Sequence, residues 1–421
     1  MKRTPPHFLP LLLIFSLFFI WAISSNLLPT MIRQLMKTFE LSTFQGSLTE
    51  ASYWLAYFIF PIPIAMFMKR YSYKTGIIVG LLVAALGGLL FFPATIAGQY
   101  WVYLVIFFII ATGMCFLETA ANPYVTVLGD PKTSSRRLNL AQSFNGLGAF
   151  IAAMFLSKLV LSNNDYSRET LPAAYPGGWE GFVQVETNTM KLPYLLLAAA
   201  LVLIALILMF AHLPKIKEGN REEGDTRGEK LIDFSVFRHS NLCWGVVAQF
   251  FYNGGQTAIN AMFLVYSCKY LNMAESLATT FFGIYMLAFL LGRWMGTLLM
   301  VKFSPRKMLI VYAGANVVLC AVIAGFGGMV GLYAMIAVSF FMSIIYPTQF
   351  SLALKGLGSK TKSGSAFLVM AIVGNVVLPP LTGHIMDVFP AIYHVAYLVP
   401  LICFAVCGYY GWRLHEENRV I

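Results

Sequence analysis

Few polar side chains in this 421-residue sequence stand inside long apolar runs, and Glu118 is the one best placed to do chemistry. It lies in Phe116-Leu-Glu118-Thr-Ala-Ala-Asn122-Pro123, seventeen residues into an apolar run over 101–127. An ionisable group is costly in hydrocarbon and marks an ion or substrate path. A carboxyl in a largely apolar cavity takes up a proton and gives it back when water reaches it, which is what coupling to proton movement requires. The competing reading is a carboxyl locked to a basic partner as a structural pair. Asn122 follows one turn later on the same helical face. Pro123 removes a backbone hydrogen bond and frees the Thr119 carbonyl, which adds polarity and room for a bend.

Amides supply the second chemistry. Asn139, Gln142 and Asn145 recur at spacing three in the run 138–161, and Gln249, Asn253, Gln256 and Asn260 recur at i, i+4, i+7 and i+11 in the run 242–268. These spacings put each set along one face of a helix. Gly254 and Gly255 interrupt the second stripe and permit bending. Ser339, Ser343 and Tyr346 repeat the pattern over 329–354. Uncharged amides, hydroxyls and aromatic faces without a cluster of cations suit a neutral polyhydroxylated ligand, and a sugar is the natural candidate. Amides of this kind also serve hydrogen bonding between helices, but stripes on several helices of both halves favour a ligand. Trp21, Tyr53, Trp54, Tyr57 and Tyr252 offer stacking faces, in a chain where 15% of residues are aromatic and most simply pack. Arg293, with Lys302 and Arg306, reads as part of a gate at one membrane face, and His384 with Asp387 as a helix-end pair. No Ser/His/Asp, HExxH or Walker arrangement is present, so the sequence does not read as an enzyme.

These residues need helices in a membrane to hold them. The chain is 58% hydrophobic and 11% charged, far from soluble averages. Its apolar runs are continuous and long, which excludes an outer-membrane barrel and gives twelve spans of roughly 20 residues. The first run reads as a membrane span rather than a cleaved signal peptide. Counting by alternate connections puts 22 of the 29 Lys and Arg on the side of the N-terminus, so both termini are expected in the cytoplasm. The net charge of +11 is therefore topological, and nothing else suggests nucleic acid as a partner. The six cysteines lie in apolar runs without metal-type spacing and read as packing residues.

The expected organisation is an N-terminal six-helix bundle over 1–212, a charged cytoplasmic linker over 213–240 and a C-terminal six-helix bundle over 241–421. The linker holds six basic and six acidic residues. The halves echo each other: Ala56 through Met68-Lys69-Arg70-Tyr71-Ser72-Tyr73-Lys74 matches Ala288 through Met300-Val301-Lys302-Phe303-Ser304-Pro305-Arg306 at an offset of 232. Two six-span repeats about a linker suggest carriers of the major facilitator type, with a midplane site between the halves.

The chain resembles the L-fucose:proton symporter family of the major facilitator superfamily. The resemblance rests on Leu17-Phe-Phe-Ile-Trp21-Ala, Tyr57-Phe-Ile-Phe-Pro61-Ile-Pro63, Leu117-Glu118-Thr-Ala-Ala-Asn122-Pro-Tyr-Val-Thr-Val-Leu-Gly129, Arg137-Leu-Asn-Leu-Ala-Gln142-Ser-Phe-Asn145, Ala248-Gln-Phe, Gly255-Gln-Thr-Ala258 and Met342-Ser-Ile-Ile-Tyr346-Pro-Thr. It implies a proton-linked role for Glu118, sugar contact for Gln142 and Asn145, and matching site positions at Trp21 and Asn26. One position departs: where the family has a second essential carboxylate in the first span, this chain reads Leu28-Pro29. Proline cannot carry a proton, and Glu50, at similar depth in the second span, is the candidate replacement; a mouth carboxylate beside a helix N-terminus is the other reading of Glu50. The resemblance thus implies a monomeric bacterial inner-membrane carrier that takes up fucose or a related hexose with a proton, without cofactor or ATP. Sodium coupling, uniport and a transporter-like sugar sensor are the alternatives that Pro29 leaves open.

Overall fold

The computed structural model describes residues 8–41, 43–128, 130–156, 160, 166–211, 217–218, 221–222 and 233–417. They are almost entirely helical. In chain order the helices are α1 (Phe8–Phe39), α2 (Thr43–Ile59), α3 (Pro61–Arg70), α4 (Tyr73–Leu89), α5 (Phe91–Ala97), α6 (Tyr100–Val127), α7 (Ser134–Ile151) and α8 (Gly178–Phe210). Then follow α9 (Ser240–Val265), α10 (Glu275–Leu299), α11 (Pro305–Phe326), α12 (Gly328–Met342), α13 (Ile345–Leu354), α14 (Thr361–Met370), α15 (Gly374–Val388) and α16 (Leu398–Glu417). Among the described residues nine helical segments are long and apolar enough to cross a membrane, and the pair α2–α3, bent by 42° at Phe60, makes a tenth. The helices α7 and α9, which carry the two amide stripes, complete the twelve spans. Their polarity is the reason they read as less apolar than the rest. Pro29 and Pro123 both sit inside continuous helices.

Membrane burial is written on the outside of these helices. Leu192, Leu196, Leu203 and Phe210 along α8 are exposed, as are Leu291, Trp294, Met295 and Leu298 along α10. Apolar ridges of this size left uncovered on a protein surface call for lipid.

The chain forms two compact units, one of Met1–Ala121 with Leu147–Pro214 and the other of Asn122–Gly146 with Lys215–Ile421. Most of the charged linker lies outside the described residues. Within it, Lys217–Glu218 and Arg221–Glu222 pair as two short antiparallel strands, β1 and β2. Asp233 caps the turn that follows by accepting from the Ser235 N–H at 2.9 Å.

The internal repeat has a structural meaning inside each unit. Ser72 caps α4 by accepting from the Thr75 N–H at 3.0 Å, and its counterpart Ser304 caps α11 by accepting from the Lys307 N–H at 3.4 Å. Two residues on, Lys74 donates to the Met209 and Ala211 carbonyls at the C-terminal end of α8. Its counterpart Arg306 donates to the Leu414 carbonyl near the end of α16, at 3.1 Å. A cation at the negative end of a helix is stabilised by the macrodipole. The repeated basic residue thus fastens the last helix of each half to its third.

Glycine sets the close approaches. Gly374 packs on the Phe250 carbonyl of α9, where a Cβ would overlap it, and a Cβ on Gly254 would meet the Gly374 carbonyl at 2.8 Å. The Gly254-Gly255 pair therefore serves packing of α9 against α15 and α16. Gly327 and Gly328, both at positive φ, make the tight turn between α11 and α12.

Candidate functional site

In the first unit, α6 carries Glu118 into a protein interior rather than toward lipid, for its side chain is only 3% exposed. Tyr53 and Tyr57, a turn apart on α2, are buried and lie within electrostatic reach of the Glu118 carboxyl. Their rings stack at 5.9 Å, and the Trp54 ring lies 5.4 Å from that of Tyr57. From α1, the Trp21 indole donates to the Tyr57 hydroxyl at 3.0 Å. The expected stacking group of Trp21, Tyr53, Trp54 and Tyr57 is thus assembled beside the carboxyl expected to carry a proton. Asn26, half-buried on α1, donates to the Ala22 carbonyl at 2.9 Å, one turn back.

Glu50 is exposed and accepts a long bond from the Trp54 indole, 3.4 Å, which attaches it to the edge of the aromatic group. Pro29 is exposed. The sequence reading left out another buried carboxyl. Residues 163–190 read as a loop, but α8 begins at Gly178 and carries Glu186 two turns in, fully buried and bonded to the Gln34 amide of α1 at 2.7 Å. The apolar spacing of Phe182, Val183, Glu186, Thr187 and Met190 along one face was the available signal.

In the second unit the amides are organised around a buried cation. Gln142 donates to the Asn122 side-chain oxygen at 3.2 Å, joining α7 to α6. Arg293 of α10, only 4% exposed, donates to the Gln142 carbonyl at 2.7 Å, to the Asn145 side-chain oxygen at 3.3 Å and to the Ser343 carbonyl at 2.9 Å. Its guanidinium also rests 4.4 Å over the Phe289 ring. Because Oδ1 of Asn145 faces this cation, the amide is turned so that Nδ2 points elsewhere, and Nδ2 is buried with no hydrogen-bond partner among the described residues. A donor oriented from behind and unsatisfied in front is ready for a ligand. Arg293, read from sequence as a gate residue, is therefore the support of the amide pair.

The α9 stripe divides. Gln249 is fully buried and donates to the Tyr346 carbonyl at 3.2 Å, and Asn253 donates to the Gln249 carbonyl at 2.7 Å. Gln256 is half-buried, while Asn260 accepts from the Tyr285 hydroxyl. Tyr346 is 8% exposed, with its ring 6.2 Å from that of Tyr252. Two members of the expected stripes act between helices. Asn139 donates to the Thr348 hydroxyl at 3.0 Å, and Ser339 donates to the Tyr285 carbonyl at 2.6 Å. Asp387 pairs with Lys269 at 2.9 Å, in place of the expected His384 pairing.

A helical membrane fold with a buried carboxyl and oriented amides defines the class as a secondary carrier. Residues 11–377 match the Major Facilitator Superfamily profile. This chain belongs to that superfamily and is a multi-pass membrane transporter. It is 39% identical over 402 residues to the L-fucose-proton symporter of Escherichia coli (strain K12), covering 95% of this chain and 92% of that one. It is 33% identical over 397 residues to the glucose/galactose transporter of Brucella abortus (strain 2308), covering 94% and 91%. The crystal structure of the superfamily transporter FucP in the outward conformation superposes with a TM-score of 0.86 at 38% identity, covering 96% of this chain and 98% of that one.

Proposed function

We propose that this chain is a bacterial inner-membrane carrier that takes up L-fucose or a related hexose together with a proton. It works by alternating access, its halves 1–212 and 241–421 joined by the linker 213–240, with both termini in the cytoplasm and the chain acting as a monomer. Glu118 is the proton-linked carboxyl, assisted by Glu50. Gln142, Asn145, Asn122, Asn26, Gln249, Asn253, Gln256 and Asn260 read hydroxyls, and Trp21 and Tyr346 present aromatic faces to the sugar. Neither a cofactor nor ATP takes part. The observation that carries this reading is Glu118, buried at 3% exposure in a membrane span beside Tyr53 and Tyr57. The relatives named for fucose and for glucose and galactose support a sugar as cargo.

Pro29 favours one second reading, sodium-coupled symport or uniport, because the first span lacks an acid there. Purified protein in liposomes separates these readings. A proton gradient drives labelled sugar uphill if the carrier is a proton symporter; a sodium gradient does so if it is sodium-coupled. A uniporter shows counterflow alone, and a sensor binds sugar with no flux.

A further inference from the structure

The second unit holds another pair of amides whose atoms are not accounted for. Gln349, on α13, is fully buried, and neither its Nε2 nor its Oε1 has a nitrogen or oxygen partner among the described residues, the Cys407 thiol being the one weak group bonded to it there. Gln249, on α9, is equally buried, and its Oε1 is also without one. The two side chains belong to one neighbourhood. Gln249 donates through Nε2 to the carbonyl of Tyr346, one turn before Gln349 on the same helix. Cys407 of α16 closes the third side: its thiol contacts the Ala248 carbonyl at 3.7 Å and also faces Gln349. A thiol is a weak hydrogen-bonding group and cannot satisfy an amide. The rings of Tyr346 and Phe350, on the same helix as Gln349, lie 6.0 Å apart.

Buried amides are almost always paired, and one left unpaired weakens the fold. Here one donor group and two acceptor oxygens are unpaired together, in a span that otherwise packs tightly. That combination matches one chemistry. A hydroxyl both donates and accepts, so it can give its hydrogen to an amide oxygen while receiving one from the Gln349 Nε2. A cation would find no use for the amide donor, and an anion none for the two oxygens.

We infer that Gln249 and Gln349 form a hydroxyl-binding subsite of the carrier, and that Gln349 is a specificity-determining residue for its sugar. The inference rests on the sugar-carrier reading, and a buried water would offer the same chemistry as a sugar hydroxyl. A cycle of side-chain and substrate truncation separates the two. L-Fucose, D-galactose and D-glucose are titrated against the purified wild-type protein and against Gln349→Met and Gln249→Met, followed by the monodeoxy analogues of the tightest binder.

The subsite predicts one analogue that binds wild type about tenfold more weakly than its parent, the loss expected for one hydrogen bond. That analogue and its parent should bind Gln349→Met equally. Without sugar, Gln349→Met should melt no lower than wild type, since it removes an unpaired amide. If every analogue loses as much in the variants as in wild type, the amides hold water or nothing and the subsite is refuted. If Gln349→Met does not fold, the same comparison in Gln249→Met decides. A wild-type protein that binds none of the three sugars refutes the reading of it as a carrier of L-fucose, galactose or glucose, whereas wild-type binding with no analogue coupling refutes the subsite alone.

Discussion

Arg293 gives the sharpest prediction about the amide pair. Its guanidinium donates to the Gln142 carbonyl, the Asn145 side chain and the Ser343 carbonyl. Replacing it by Met keeps the bulk that lies over Phe289 and removes all three donors. A hydrogen bond to a charged group contributes about 1.5–3 kcal/mol net, but the two carbonyls sit in helices and keep partners, so Asn145 bears most of the loss. Removing the cation also relieves its desolvation cost, which offsets part of the loss. The expected fall in unfolding free energy is therefore ~2 kcal/mol, the lower part of that range. The more informative effect is on binding. With Oδ1 no longer held, the Asn145 amide loses its orientation, and one sugar hydrogen bond of about 1–1.5 kcal/mol is lost, roughly tenfold in affinity. Lysine at this position restores a charge but not the fork that reaches two acceptors, so Arg293→Lys should recover stability more than affinity. Calorimetric sugar binding and thermal unfolding of both variants in detergent measure the two effects. Wild-type affinity in a destabilised Arg293→Met would refute the positioning role and leave Arg293 a packing residue.

Other consequences follow from single contacts. In Glu50→Gln, proton uptake per sugar and the pH dependence of transport should both change if Glu50 assists Glu118; unchanged values rule it out. Gln34→Leu takes from buried Glu186 the donor it holds at 2.7 Å, so the unfolding free energy should fall by about 1–3 kcal/mol, while Gln34→Glu should do worse by placing two carboxyls together. An equal melting temperature in Gln34→Leu would show that this bond contributes nothing. At the linker, hydrogen bonds from Ser235, and more weakly the Lys360 ammonium, hold the Asp233 carboxyl below its ordinary value. A depressed carboxyl stabilises the fold above its unfolded value, ~3.9, and the contribution fades as pH falls through the lower folded value. Asp233→Asn should therefore flatten the acid limb of a thermal-stability profile measured between pH 5 and pH 3, roughly the window around that value; an unaltered limb would show that other groups set it.

How much of this could be read from the sequence depends on whether a contact is local. Glu118 was legible because a carboxyl in a long apolar run has few uses, and the repeat that holds Lys74 and Arg306 was legible because the same pattern recurs in both halves, though not the helix ends they bond. The caps made by Ser72 and Ser304 follow from residues three apart. Helical spacing alone did not tell Gln142 from Asn139, which share a stripe. One meets Asn122 and the other Thr348, and that difference is set by which neighbours pack beside α7. Glu186 was hidden by the polar stretch before it, which delayed the start of its span. Gln349 continues the count from Ser339 three residues past Tyr346, but spacing alone did not show that its amide is buried without a nitrogen or oxygen partner. Arg293 looked like a gate residue because sequence gives the position of a charge and not its acceptors.

In the proposed carrier the coupled proton moves through Glu118. Uptake of labelled L-fucose into proteoliposomes carrying Glu118→Gln, with and without an inwardly directed proton gradient, tests it most directly. Glutamine keeps the size and polarity of the side chain but cannot exchange a proton. In Glu118→Gln, pH-driven accumulation should be abolished while counterflow exchange of the sugar persists. Full accumulation in this variant, driven by the proton gradient as in wild type, would contradict it.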